Sequence, residues 1–507
     1  MLQNSPAAAC PVLSCAEAKA WEAGLLPDEA TEWAAMEKAG DALGRAVLED
    51  YREIGGFPDD GHILILAGKG HNGGDAVLAA RAILASKPAA RATVVLGFGV
   101  RSLRPLAGRA LDRLKAEAGP RVTMAAGDDA LAAGTRYALC FDGVFGFQFR
   151  APMEADTAAL LVRANAHPGI AFRAAVDLPS GVGEVNAATI FRADFTYATG
   201  IVKRPVLSPR VSTSVGRLRF LDLGFFAHGA PAASERMLDA SVLEPLTQLR
   251  SSQTDKRTFG HILIVGGSRS YPGAVMLATR AALRSGAGLV TSFVPATLAP
   301  EYAAAHPEAM WVGCPETSKG GLAAGTLDLV LERLPRASAL LIGPGLSAEP
   351  EVLQTIQEIV RNTNIPLVLD ADALRGEVVE LVRDRPFIGT PHAGEFQRIA
   401  PKLFTDGTFT APHGVLVLKG PLTRVTDGKT IYHSPFGGPV LARGGSGDVL
   451  AGLIGGLLAQ QPADPLLAAM RGVVWHGRAA DLLARTHGQV AIEISQILEQ
   501  LGPGLHT

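Results

Sequence analysis

The chain runs to 507 residues, of which 48% are apolar and 19% charged, with 47 basic side chains against 49 acidic ones. This length predicts two or more domains that each bury a core of their own, and the apolar content excludes disorder as the overall state. A formal charge of −2 leaves no global electrostatic footprint for nucleic acid or anionic lipid, so neither is expected as a partner and any anionic ligand must be met locally.

At the N-terminus the first basic residue is Lys19, so the charged region of a signal peptide is not expected. Short apolar runs then alternate with Ala/Leu-rich helical stretches. HILILA (62–67), ATVVLG (92–97), YALCFDG (137–143) and IAFRAAVD (170–177) read as buried strands of a parallel, doubly wound sheet. After the first comes Gly68-Lys69-Gly70-His71-Asn72-Gly73-Gly74-Asp75, read as a glycine-rich turn that opens onto the helix AVLAARAILA. Unpaired N–H groups and the positive end of a helix dipole suit a phosphate there, while a tight turn needing positive φ explains the glycines about as well. Asp142 and Asp177 close two further strands. Each alone reads equally as a cap or turn residue, but polar groups at three strand ends of one sheet together point to a site.

The rhythm breaks in FLDLGFFAHGAPAASERM (220–237), which predicts one domain over 1–235 and a second over 236–507. HILIVGG, GLVTSFV, ALLIGPG, PLVLDADAL and GVLVLKG then restore the alternation. Lys419 at the end of the last of these offers a point charge for phosphate or is an exposed strand-end charge. His392 in TPHAGE (390–395) reads as a ligand contact or as a hydrogen-bonded structural histidine. Gly444-Gly445-Ser446-Gly447-Asp448, ahead of the apolar helix VLAGLIGGLLA, reads as an anion hole with an aspartate placed to act as a base. A helix cap made by Asp448 or Ser446 accounts for one residue of that cluster but not the rest. No GxxxxGK[ST] motif stands nearby, which disfavours a P-loop. The apolar run 449–459 is too short to span a bilayer, and Cys10, Cys15, Cys140 and Cys314 do not make a disulfide framework. A cytoplasmic location is expected.

GKGHNGGD (68–75), FDGVFG (141–146), VDLPSG (176–181), ADFTYATGIVK (193–203) and AMEKAG (35–40) resemble the NAD(P)H-hydrate epimerase domain over about residues 10–225. The resemblance implies a Rossmann-like α/β fold. It implies substrate contacts at His71, Asn72, Gly73, Gly74, Asp75, Gly146 and Asp177, and a potassium ion ligated by Asn72, Asp142 and Ser180. Asp177 is expected to handle the proton at nicotinamide C6. His71 stands where the family usually has Asn, Ala76 where it has Gly, and Gly146-Phe147-Gln148-Phe149 where a GTGL-type turn is common. These departures are expected to bear on substrate affinity more than on fold.

GHILIVGGSRSYPGAVMLATRAALRSGAGLV (260–290), HPEAM (306–310), GPGL (343–346), VLDADAL (368–374), GTPHAGEF (389–396), VLKG (417–420) and GGSGDVLAG (444–452) resemble the ADP-dependent NAD(P)H-hydrate dehydratases, a ribokinase-like α/β fold, over about 240–503. The resemblance implies hydrate contacts at Ala274, Gly345, His392 and Asp448, with Asp448 catalytic. It places the adenine nucleotide, ADP with Mg²⁺, on Lys419, Gly420, Pro421, Leu422, Thr423 and Gly447. Ser446 replaces a usual Thr, and GGPVLAR (437–443) an NPGMA-like stretch. A fusion of the two would epimerise the R and S hydrates of NADH and NADPH (NADHX and NADPHX) and dehydrate the S form at the expense of ADP, as a homo-oligomer by the family's habit. The alternative is a ribokinase-like small-molecule kinase carrying a non-catalytic N-terminal binding or scaffold domain.

Overall fold

Apolar residues occupy both faces of the N-terminal strands, and the structure, a computed structural model describing residues 9–99 and 102–506, gives the reason. The strands are β1 (Ala9–Leu13), β2 (His62–Ala67), β3 (Arg91–Leu96), β4 (Val122–Met124), β5 (Leu139–Gly143), β6 (Arg173–Val176), β7 (Phe195–Thr199), β8 (Val202–Lys203) and β9 (Arg217–Leu221). Seven of them form a sheet in the order β4-β3-β2-β5-β6-β7-β9, with every pairing parallel. Ile63, Ile65, Leu139 and Phe141 pack on one face with helices Glu29–Tyr51, His71–Ser86 and Pro105–Ala118. Leu64, Leu66 and Cys140 pack on the other, against Leu160 and Leu161 of helix Ala155–Ala166. A strand covered on both sides has no reason to alternate, hence the unbroken run HILILA. Chain order reverses between β2 and β5, whose ends meet at Ala67 and Gly143, and a crevice opens beyond them. Apart from this sheet, β1 lies parallel to β8 and sets Leu13 opposite Lys203.

This unit comprises Cys10–Ala233 together with the short segment Ala484–Gly488. Arg485 of that segment and Arg219 of β9 both donate to the buried Asp50. Burial alone would raise the Asp50 carboxyl, but the two guanidinium groups hold it below the usual range.

The other unit is built mainly from Ser234–Leu483. Its strands are β10 (Glu235–Leu238), β11 (His261–Val265), β12 (Leu289–Pro295), β13 (Met310–Cys314), β14 (Ala339–Ile342), β15 (Leu367–Leu369), β16 (Phe387–Gly389), β17 (Phe404–Thr405), β18 (Thr408–Phe409), β19 (Gly414–Leu418), β20 (Thr423–Thr426) and β21 (Ile431–Ser434). The main sheet runs β13-β12-β11-β14-β15-β16-β19-β20-β21-β10. It is parallel as far as β19, and β20 and β21 return antiparallel at that edge. The reason is local. Only Lys419 to Leu422 separate β19 from β20, too few residues for the crossover that a parallel pair requires. Leu263, Val265, Leu340 and Ile342 bury one face. On the other, helix Ser446–Gln460 lies so close to helix Pro272–Arg284 that a methyl at Gly452 would sit 2.1 Å from Ala278 O. No helix among the described residues is long and apolar enough to cross a membrane.

Candidate functional site

At the reversal between β2 and β5 lies a cavity of about 560 Å³, lined in part by Asn72, Asp75, Gly146, Asp177 and Lys203. The segment expected to be a glycine turn is different: helix His71–Ser86 already begins at His71, capped by Gly70. Gly73 and Gly74 are therefore helical and have no positive φ. Close packing requires them instead, since a methyl on Gly73 would fall 2.3 Å from Gly68 O and one on Gly74 2.7 Å from Met36 Sδ. Both are buried and neither lines the cavity. His71 does line it, half exposed, with Nε2 at 3.3 Å from Glu32.

Asn72, Asp142 and Ser180 come together around the backbone of Phe145. Asn72 Nδ2 donates to Phe145 O at 2.8 Å, Phe145 N donates to Ser180 Oγ at 2.8 Å, and Ser180 Oγ donates to Asp142 Oδ1 at 2.6 Å. Asp142 is fully buried with no ion-pair partner among the described residues, and burial pushes its carboxyl up to about 6 despite the Ser180 and Val144 donors.

Asp177 follows β6 in the left-handed region, with φ 64°, a strained conformation for a residue with a side chain. Its Oδ1 accepts from Lys203 Nζ at 2.7 Å, and Glu22 Oε1 stands 3.6 Å from the same ammonium. Burial raises the Asp177 carboxyl and Lys203 partly offsets it. For Lys203, burial works to neutralise the ammonium, but Asp177 and Glu22 outweigh it and keep the group charged. Phe147 lies under Lys203, 4.8 Å from the ring centre. Lys69 and Arg104 add positive charge to the lining, beside Phe98 and Phe145, whose rings meet edge to face. Sequence reasoning missed Lys203 as a site residue although it ends a quoted motif. Lys69 was likewise missed although it stands in the quoted turn, whereas Glu22 and Arg104 carried no signal, because only folding brings them to the cavity.

In the other unit, chain order reverses between β11 and β14. There Ala274 and Gly345 are neighbours, a methyl on Gly345 (φ 69°) falling 3.1 Å from Ala274 Cβ. Further along the sheet, Lys419 Nζ donates to Asp370 Oδ1 at 3.0 Å and lies 3.8 Å from Glu395 Oε2, while Thr390 Oγ1 donates to Asp370 Oδ1 at 2.6 Å. Burial would lower Lys419, but these carboxylates hold it above its usual range. The missing side chain of Gly447 leaves room for that ammonium, 3.2 Å from where a methyl would stand. Gly420 to Leu422 form the hairpin turn, and Thr423 opens β20.

His392 has a capping role on one ring nitrogen. Its Nδ1 accepts from Gly394 N and Glu395 N at 3.0 and 3.2 Å and so caps helix Ala393–Leu403, while Nε2 stands on a side chain 61% exposed. Asp448 does not cap its helix, and neither does Ser446. The cap is Gly445 at φ 91°, with no side-chain hydrogen bond, which leaves the positive end of helix Ser446–Gln460 open to an anion. Asp448 is pushed up to about 7, first by burial and then by Asp370, with Lys419 opposing. A carboxyl near neutrality is suited to general-base work. Asp370 and Thr390 are the members of this cluster that no motif announced as functional.

Residues 33–205 match the family model described as the YjeF-related protein N-terminus, and residues 262–502 the one described as NAD(P)H-hydrate dehydratase. The chain is 35% identical to the bifunctional NAD(P)H-hydrate repair enzyme Nnr of Gloeobacter violaceus, with 98% of each chain covered. It is 34% identical to that of Moorella thermoacetica, with 90% of each covered. Among solved structures, a ribokinase-like superfamily protein from Enterococcus faecalis is similar at 27% identity and a TM-score of 0.47, over 55% of this chain and 98% of that one.

Proposed function

The chain belongs to the bifunctional NAD(P)H-hydrate repair enzymes, and from that premise we propose which residues carry each activity. The functional division falls at 235/236: residues 1–235 interconvert the R and S hydrates of NADH and NADPH, and residues 236–507 dehydrate the S form with ADP. The kinase alternative gives way to this family membership.

In the N-terminal cavity Asp177 is the proton-handling group. Its support is the Lys203 ion pair at 2.7 Å, which fixes the carboxylate and keeps a base at the inner wall of a site the hydrated ring can fill. Lys69 and Arg104 together with the N-terminus of helix His71–Ser86 meet the hydrate's phosphates, and Asn72, Asp75 and Gly146 line its path. Gly73 and Gly74 serve by letting that helix pack close. The donor set of Asn72, Asp142 and Ser180 fits potassium: three hard oxygens, one on a buried carboxylate that lacks a counter-charge. When bound, the ion supplies that charge and fixes the Phe145 loop.

In the C-terminal unit, Ala274, Gly345 and His392 contact the hydrate. Lys419, the hairpin turn Gly420-Pro421-Leu422, Thr423 and Gly447 hold the nucleotide. Asp448 takes the proton of the C6 hydroxyl as that oxygen attacks the terminal phosphate of ADP. The helix terminus at Gly445 and Lys419 stabilise the transferring group. Phosphate then leaves C6 with its oxygen, a proton leaves C5, and NAD(P)H is restored beside AMP. Bound magnesium would neutralise charge on the transferring phosphate, and the carboxylates of Asp370 and Glu395 beside Lys419 would be the hard oxygens to hold it. The observation that carries this half is Asp448 held near neutrality beside an uncapped helix terminus. Assembly into a homo-oligomer belongs to the same reading. The test is AMP and phosphate release stoichiometric with recovered NADH from S hydrate; recovery without phosphate release rejects the mechanism.

A further inference from the structure

The carboxyls of Glu22, Asp75 and Asp177 line the N-terminal cavity together with the ammonium of Lys203. Asp177 holds Lys203 at 2.7 Å and Glu22 stands at 3.6 Å, whereas Asp75 makes no hydrogen bond or ion pair among the described residues. Asp75 lies in the second turn of helix His71–Ser86 and lines the same cavity as Asp177. It cannot be there for phosphate, which a carboxylate would repel. Ionised, it would be a third anion beside Asp177 and Glu22 against the one ammonium of Lys203, at an electrostatic cost.

We propose that Asp75 is a second catalytic residue of epimerisation, the general acid that works opposite Asp177 as base. The proposal rests on reading the N-terminal unit as the hydrate epimerase. Asp75 gives its proton to the C6 hydroxyl, the C6–O bond breaks, water leaves, and the N1 lone pair forms an N1=C6 double bond. A water molecule then adds to C6 from the other face. Its proton passes to Asp177, the new C6–O bond forms, and N1 recovers its lone pair. Nothing is oxidised or reduced, and C6 has changed hands. The enzyme is left with Asp75 ionised and Asp177 protonated, the state that handles the opposite epimer, or resets by exchange with cavity water.

The electrostatics agree with the geometry. Burial, then the charges of Asp177 and Glu22, raise the Asp75 carboxyl well above its ordinary range, and Lys203 only opposes this. Two carboxyls of one site with different partners make an acid and a base. The remaining titratable groups of the lining are Lys19, Glu32, Lys69, His71, Arg104, Arg150 and Glu154. His71 and Glu32 lie within ion-pair distance of each other, and none of the seven is a source of the Asp75 shift.

The test uses the full-length protein and Asp75→Asn, which keeps the shape of the side chain. R/S interconversion should fall ~10²–10⁴-fold in kcat with little change in KM. The alkaline fall of the wild-type rate should disappear in the variant. Infrared difference spectra at neutral pH should show a protonated-carboxyl C=O stretch in the wild type that Asp75→Asn removes. ADP-dependent dehydration of S hydrate should be unchanged, which establishes that the variant folds. A wild-type kcat with a raised KM, or no lost carboxyl band, overturns the proposal while leaving the epimerase reading intact. A wild-type protein that does not interconvert the hydrates overturns both.

Discussion

At the ends of the N-terminal strands Lys203 faces Glu22, Asp75 and Asp177 inside a walled cavity; in the C-terminal unit Lys419 faces Asp370, Glu395 and Asp448 beside an open helix terminus. The charge arithmetic is the same and the surroundings are not. Lys203 is 2% exposed and Lys419 21%. In the first site, on the proposed reading, the acid and base are both the protein's own side chains, so protons can be exchanged with a bound ring without a second substrate. In the second, on the proposed reading, the anion-binding elements would be half a site and the nucleotide's phosphates the other half. This accounts physically for one activity needing no co-substrate and the other needing ADP.

Breaking the base in each site gives the largest effects. Asp448→Asn should cut ADP-dependent dehydration ~10²–10⁴-fold while sparing epimerisation, because the amide keeps its place but accepts no proton. In the wild type, kcat/KM for dehydration should rise with pH through about 7, as the Asp448 carboxyl ionises, and that limb should vanish in the variant. Removing Lys203 sharpens the contrast. Lys203→Met strands the buried carboxylate of Asp177 and should cost about 3–5 kcal/mol of stability in denaturant titration. Lys419→Met, at a more open position, should cost less and show mainly in the KM for ADP.

A smaller effect separates the cation site from the rest. Asp142 has a raised folded-state pKa, so its penalty to stability is absent below the ordinary carboxylate range, grows as pH rises, and is complete above about 6. Potassium should therefore stabilise the fold above pH 6, by about 2.7 kcal/mol at a hundredfold excess over its Kd and seen as a raised melting temperature, with the gain fading at lower pH. Asp142→Asn should abolish this response and the potassium dependence of epimerisation, leaving dehydration untouched. The smallest contrast concerns glycine. Gly73→Ala forces a methyl onto Gly68 O and should cost about 1–3 kcal/mol, whereas Gly444→Ala meets nothing within 4 Å and should be neutral.

The strand cores and the order of elements were legible because apolar runs such as HILILA and HILIV are dictated by burial on both faces. The site acids were legible where they end a strand, as Asp142 and Asp177 do. The role of glycine was not, since periodicity cannot distinguish a turn from a helix pressed against its neighbour, and Gly73 and Gly74 belong to the second kind. The antiparallel return after β19 carried no signal of its own, since β20 and β21 are only four residues each. Lys203, Glu22 and Asp370 act through partners 26 to 181 positions away, and no local pattern records such pairings.

The most direct test of two chemistries in one chain starts from pure R hydrate. With ADP, the wild type should return all of the reduced-nicotinamide absorbance, and without ADP it should yield only an R/S mixture. Asp448→Asn should yield the mixture in both cases, and Asp177→Asn should leave R hydrate unconverted while still consuming added S hydrate. Full recovery from R hydrate in either variant at the wild-type rate would contradict the account.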